Sequence, residues 1–593
     1  MPQPISPSDQ YRQRLQAREL YIKRLESIHI RLGYLRLLLV ASLIGLIWIY
    51  LRSHTLLAIW LSVPVVLFVA VAVFHAKVLD LQAIAERGAE FYRQGLARIE
   101  DKWRGTGARG ERFDVSDHLY AADLDLFGHG SLFQLISLAR TRMGEDTLAN
   151  WLLRPSTVEI IRLRHQAIAD LRDRLDFREA MAISSQSPVA AVHPDPLLSW
   201  AQAPLQLPSR PMRWIAFLLS ILMVAAATYW ISTGLRTPFF LVLLLEGIVV
   251  LTHRARVSAV LHQTEHALAD LKLISSLLAR IEAEEFESAP LRDLKERLST
   301  HHVAASKAIA RLDTIGQYIQ SLENPLMRLI DIPFLYSVQV AFAADSWRRQ
   351  FGATVPVWLA ELGEMEALLS LAGYSFERHE DPFPTFVSGP SCFHAQSLGH
   401  PLLPASRCVR NDLSLDASQR VVLVSGSNMS GKSTLMRAVG INIVLAMAGA
   451  PVRAQALELT PLHVGASILV NDSLQKGASR FYAEITRLRH ILDLATEEPP
   501  LLFLLDELLQ GTNSRDRLVG ADGVLRALLE TNAIGLISTH DLALTALRSD
   551  QLHNMHFQDQ IEDGKMKFDY ILYPGPVTRS NGVELMRLIG LDV

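Results

Sequence analysis

Four stretches of the chain are almost free of charge, and they organise the hydrophobic pattern. Leu37 to Leu51 is uncharged but short, whereas Thr55 to Phe74 is long enough to cross a hydrocarbon core of about 30 Å as a helix. Only Arg52, Ser53 and His54 separate them, so the pair reads as a helical hairpin. Trp214 to Leu235 is a second full-length stretch, and Pro238 to Thr252 a shorter one interrupted by Glu246. Arg36 and Lys77 flank the first hairpin, and Arg210, Arg213, Arg254 and Arg256 flank the second. By the positive-inside bias this puts both ends of each pair in the cytoplasm. The predicted topology is four crossings of the inner, cytoplasmic membrane with every large segment cytoplasmic. Buried core helices of a soluble protein are the alternative reading of the same stretches. Glu246 is a functional candidate if it lies in lipid, and a bundle-facing or interfacial glutamate otherwise.

The polar and amphipathic remainder divides around these hairpins. Residues 1–36 are arginine-rich and lack a secretory cleavage pattern, so they read as a cytoplasmic helix. Hairpins at 37–76 and 211–253 bracket a helical core at 77–210, and a helical core and lever region follows at 254–380. Apolar residues recur at helical spacing from Ala259 to Leu278, as in a packed all-α layer. Asp381-Pro-Phe-Pro-Thr-Phe386 marks a boundary, after which 381–593 alternates strands and helices in the manner of an α/β domain.

Composition narrows the partners. The net charge of −3 gives no global basic field, so contact with DNA would have to come from local patches. Two cysteines, Cys392 and Cys408, fit neither a disulfide framework nor a metal cluster, and suit a reducing compartment. A hydrophobic share of 49% in a chain with this many charged helices agrees with segments in lipid.

The chemistry concentrates in the last third. Val421 to Val424 is an apolar run expected to form a buried strand, and a helical pattern begins at Ser433. Between them Gly426, Ser427, Asn428, Met429, Ser430, Gly431, Lys432, Ser433 and Thr434 have the G-x-x-x-x-G-K-[ST] spacing. Such a loop curls so that backbone N–H groups and the helix N-terminus meet phosphate oxygens. Lys432 adds a positive charge and Ser433 a magnesium ligand. A second apolar strand, Leu501 to Leu505, ends in Asp506 and Glu507. The first carboxylate suits the metal, the second a general base for the attacking water. A third, Ala533 to Ile537, delivers His540 to the same edge, as a catalytic or sensing residue.

These residues, with Gly449-Ala-Pro-Val-Arg-Ala454, Gly477-Ala-Ser-Arg-Phe-Tyr-Ala-Glu484, Asp506-Glu-Leu-Leu-Gln-Gly-Thr512 and Ser538-Thr-His-Asp541, resemble the ATPase domain of the MutS mismatch-repair family in the family's own order. Ser580 to Leu591 is similar to its closing segment, and Thr141 to Leu171 to its core helical domain. The fold implied is an ABC-like, MutS-type P-loop ATPase domain joined to an all-α core and lever that carries the two transmembrane hairpins. The resemblance also implies ATP and Mg2+ as cofactors and a homodimer in which each ATP lies between two copies. Ser479 would then be offered to the partner's γ-phosphate, and it could also cap the helix Arg480 to Leu494. Tyr570 would supply a ring to the base, since Cys408 stands where the family's adenine-stacking aromatic is expected. DNA binding and a mismatch-repair role follow from the resemblance alone.

Departures from the family shape the functional expectation. No Phe-x-Glu wedge precedes the core, the second hairpin occupies the place of the DNA-gripping clamp, and Ser427 and Ser430 replace the usual Pro and Gly. With the sequence ending at Val593, neither a helical dimerisation extension nor an endonuclease-type tail is expected. Two functions therefore compete. One is a membrane-anchored MutS-like ATPase that binds DNA. The other is an ATP-driven membrane machine or regulator whose dimer closure moves its transmembrane helices, without mismatch recognition.

Overall fold

The computed structural model describes residues 6–53, 58–113, 115, 117–184, 193–207, 210–268, 271–300, 302–427, 429–468, 480–510, 512–540, 544–546, 549–562 and 565–577. Two compact units result. The first gathers residues 1–106, 175–186 and 376–379, and the second 107–174, 187–375 and 380–593.

In the first unit, the polar N-terminal segment and the first apolar stretch form one continuous helix, Pro7–Ser53, because no Pro or Gly pair interrupts the pattern. It runs antiparallel to Ser62–Ile99: Tyr11 packs at Gly95, Arg18 at Gly88, and Arg36 lies over the Phe68 ring. The polar end of the pair is held by an aromatic cluster of Tyr11, Phe91, Tyr92 and Phe376. Arg98 closes it with a fork to Glu377, at 2.7 Å from Nε and 2.6 Å from Nη2. The apolar end has no such cover, and Leu37, Ile44, Val66 and Val69 stay mostly exposed.

The second unit contains a further long hairpin, Arg210–Thr233 and Thr237–Ala267, with Leu218, Ile231, Leu241 and Leu251 exposed. Its lower part packs on the helix Tyr336–Phe351 through Leu219, Val257, Val338 and Phe342. The four helices of the two hairpins are long and apolar enough to cross a membrane.

Residues 100–131 depart from the helical reading of the segment 77–210. Helix ends at Ile99 and returns only at Leu132–Ile136. Asp101, at φ 57°, turns the chain out of the helix, and Gly105, Gly107, Gly110, Gly128 and Gly130 all take positive φ in the stretch before helix resumes.

The α/β part centres on a six-stranded sheet. Its order is Lys565–Pro574, Leu552–Glu562, Val421–Ser425, Ile534–Thr539, Leu501–Leu505 and His463–Ser467. Only the first of these pairs antiparallel to its neighbour. Every residue of Val421–Ser425 and Leu501–Leu505 is buried, as continuous apolar runs require in a parallel sheet covered on both faces. A smaller four-stranded sheet, with Phe393–Leu398 and Asn411–Leu415 among its strands, stands beside it.

Two buried residues fix the 107–174 segment to this sheet. Asp123 accepts from Ile468 N at 2.7 Å and from the Arg487 guanidinium. Arg164 donates to Ala448 O at 2.9 Å, at the end of the helix Lys432–Ala448, and its guanidinium lies 3.7 Å from the centre of the Trp151 ring.

Candidate nucleotide site

Parallel strands deliver their C-terminal ends to one edge of a sheet, and three of them meet here. Val421–Ser425 opens into the loop 426–431, where Gly426, Met429 and Gly431 adopt φ of 151°, 73° and 111°. The first and last positions therefore need glycine. The helix Lys432–Ala448 follows at once, so its free N–H groups face the loop.

Inside the loop, Lys432 is buried, and its Nζ donates to Gly426 O and Ser427 O at 2.9 Å each. Burial lowers its pKa, while the nearby charges of Glu507 and Asp506 oppose that shift. Ser427 Oγ and Ser430 Oγ are buried with no hydrogen-bond partner among the described residues. Hydroxyls left unsatisfied at the base of a glycine loop match the acceptor oxygens of a phosphate chain. Asn428 lies outside the described residues, and Met429 projects outward, 84% exposed.

The two carboxylates are held differently. Asp506 accepts from Ser433 Oγ at 2.5 Å on one oxygen and from Ser538 Oγ on the other. Carboxylate and hydroxyl oxygens so placed are the hard donors that magnesium takes. Glu507 has φ 50°, a left-handed conformation rare outside glycine, and its N–H donates to Ser538 Oγ at 3.1 Å. Its side chain reaches His540, whose Nδ1 is 3.4 Å from Glu507 Oε1. Gln510 Nε2 lies 3.2 Å from His540 Nδ1 and also donates to Glu507 Oε2. The His540 side chain is 46% exposed and that of Glu507 27%, so both can meet a ligand.

A cleft of about 580 Å³ extends from Lys432 and Ser433 to Leu398, His400, Cys408 and Tyr570. Tyr570 reaches it from the last strand pair, and Asn411 pins its backbone by donating to Tyr570 O at 3.0 Å and accepting from Leu572 N at 2.8 Å. Its ring stands beside Gly431. Burial holds His400 down to about 4, helped by the charge of Arg437.

The structure thus brings together Gly426, Ser427, Ser430, Gly431, Lys432, Ser433, Asp506, Glu507, His540 and Tyr570, with Thr434 lining the same cleft. Ser479 lies outside the described residues, as does the closing segment Ser580 to Leu591. The helix behind Ser479, Arg480–Leu494, is present, and its Glu484 accepts from Leu509 N at 2.6 Å, two residues past Glu507. The sequence motifs contain Ser538 and Gln510 without giving either a role, and they leave out Asn411. Ser538 lies near the end of the strand that leads to His540 and Gln510 three residues past Glu507, so both were findable, whereas Asn411 acts through a contact to a distant strand.

Comparison with known proteins agrees with this geometry. The family profile for MutS domain V matches residues 422–592. A DNA mismatch repair protein MutS 2 of Haloarcula marismortui is 39% identical over 221 residues, which cover 36% of this chain and 22% of that protein. A protein of the same name from Halobacterium salinarum is 36% identical over 237 residues, 39% of this chain and 27% of the relative. DNA mismatch repair protein MutS of Thermus thermophilus is 38% identical over 185 residues, 31% of this chain and 22% of the relative. Over this part of its length the chain is similar to MutS-family proteins. It matches only about a quarter of the length of those relatives, between 22% and 27%.

Proposed function

We propose that the chain is a membrane-anchored ATPase that binds ATP with magnesium and hydrolyses it at sites shared between two copies. The observation that carries this reading is the convergence of the phosphate loop, Asp506 and the Glu507–His540 pair at adjacent strand ends. Lys432 and the serines of the loop bind the phosphates, and Ser433 and Asp506 hold the metal. Magnesium, when bound, neutralises charge on the β- and γ-phosphates. Glu507 accepts the proton of the attacking water, and His540 and Gln510 fix the orientation of its carboxylate. In the homodimer, Ser479 of one copy meets the γ-phosphate held by the other. The loop serines, Thr434 and Tyr570 complete the nucleotide contacts.

The relatives' names support a role on DNA. Four helices of membrane-crossing length support the second reading, in which dimer closure is coupled to the hairpins in the cytoplasmic membrane. The exposed apolar hairpins favour anchorage, and the net charge of −3 weighs against DNA and toward the membrane machine, so any DNA contact is expected to be salt-sensitive and nearly blind to mismatches. The test uses the full chain in vesicles, with ATP turnover read alone and with homoduplex or mismatched DNA. Resistance to alkaline extraction with equal response to both DNAs is expected. A mismatch preference above about tenfold would restore specific repair recognition, and release by alkali would remove the anchor.

A further inference from the structure

At the foot of the second hairpin lies a second cleft, of about 770 Å³, between the start of Arg210–Thr233 and the helix Tyr336–Phe351. Two guanidinium groups line it, Arg213 from one helix and Arg349 from the other. Arg349 donates to Leu207 O at 3.3 Å, and neither arginine has a carboxylate partner among the described residues. Among the described residues of the wall the one acidic group, Asp345, is already engaged. It pairs with Arg348 at 2.5 Å and accepts from Leu207 N at 2.8 Å and Gln206 N at 3.2 Å. The cleft therefore carries two uncompensated positive charges.

Its position matters as much as its charge. Trp214 and Phe217 stand exposed at the rim, and Phe217 begins an exposed apolar stripe that climbs the helix through Ile221 and Val224. Beside the stripe, Ser220 Oγ donates at 2.9 Å to Phe334 O, the end of the short helix Pro325–Phe334. That helix turns 87° from the one that follows and exposes Leu326, Leu329 and Ile330. A helix lying crosswise with an apolar outer face, at the root of an apolar hairpin, marks the edge of a hydrocarbon layer. Arg213 lies seven residues before Ser220, about 10 Å along the axis, which is headgroup depth.

We propose that this cleft binds the phosphate-bearing headgroup of an anionic glycerophospholipid, with an acyl chain laid along Phe217, Ile221 and Val224. Arg213 and Arg349 grip the phosphate from two helices, and Trp214 sits at the level of the glycerol. The site rests on the membrane reading above and gives it a lipid preference.

The experiment takes the full chain from mixed vesicles of phosphatidylglycerol and phosphatidylcholine into detergent and counts retained lipid by native mass spectrometry. Retention of phosphatidylglycerol over phosphatidylcholine is expected, falling on the order of thirtyfold in the double variant Arg213→Gln, Arg349→Gln. The double lysine variant should keep most of it, and Arg489→Gln with Arg526→Gln, on the surface of the α/β part, should keep all of it. ATP uptake by each variant checks that it is folded. Equal retention of both lipids, no loss in the glutamine pair, or full displacement by millimolar glycerol 3-phosphate would overturn the proposal while the anchor stands. Release of the unaltered chain from vesicles by alkaline carbonate would overturn the anchor and this site together.

Discussion

Ser433 Oγ, in the first turn of the helix Lys432–Ala448, donates to Asp506 Oδ2 across 2.5 Å, joining the phosphate loop to the tip of Leu501–Leu505, the next strand but one in the sheet. Ser538 engages the other oxygen of Asp506, so both oxygens of the carboxylate are held by hydroxyls. Preorganised oxygen donors lose little freedom when a hard cation binds. We therefore expect Ser433→Ala and Asp506→Asn each to lower magnesium-dependent ATP turnover about 10²-fold. Nucleotide binding in EDTA should change far less. A titration of turnover against magnesium checks this, and an unchanged magnesium dependence would place the metal elsewhere.

Glu507 and His540 meet at 3.4 Å with Gln510 beside both, which separates proton transfer from orientation. Replacing Glu507 with Gln removes the base and should cut turnover between about 10² and 10⁴-fold with ATP still bound. His540→Ala and Gln510→Ala leave the base in place and should cost less, roughly tenfold each. Single-turnover rates measured beside equilibrium binding separate the two effects.

Arg164 carries a structural prediction. It caps Ala448 O, donates to Ser156 Oγ at 2.8 Å and stacks on Trp151. Burial draws its pKa down to about 10, which still leaves it charged at neutral pH. Arg164→Ala should cost about 2–4 kcal/mol through lost charged hydrogen bonds and the ring contact. A lower midpoint of thermal unfolding reads it out, and Arg164→Lys should recover only part, since a lysine cannot stack and donate from one plane.

His400 gives the pH dependence. Its ring is buried and accepts from Leu402 N at 3.2 Å, so the neutral form is favoured and the folded pKa falls to about 4. The unfolded chain binds that proton near 6.5. Stability from this group is therefore complete above about 6.5 and is lost as the pH falls toward 4. His400→Gln should flatten the decline in Tm across that window, by roughly 2–4 °C for each kcal/mol retained. A parallel decline in both proteins would assign the acid sensitivity to other groups.

The strands of the nucleotide domain were legible because the signals were local. Continuous apolar runs at Val421 and Leu501 permit little but buried parallel strands, and the loop between Gly426 and Lys432 has a fixed spacing. The hairpins were equally plain in hydropathy. What the sequence hid was of two kinds. Asp101 and the glycines between Ile99 and Leu132 take positive φ that no apolar period announces, and the chain there is not helical. Contacts such as Asn411 to Tyr570, Glu484 to Leu509 and Asp123 to Arg487 join residues far apart in the chain. No periodicity encodes such pairs, because each is chosen by the packed fold.

We propose that this chain takes up magnesium nucleotide at residues 426–434 and closes on a second copy around it. The most direct measurement is the particle mass of the full-length Glu507→Gln protein in detergent, taken with and without ATP and magnesium, alongside bound nucleotide per chain. We expect one ATP per chain and a doubling of the protein mass when both are present. A chain that binds no nucleotide, or that binds it and remains single-copy, would contradict the account.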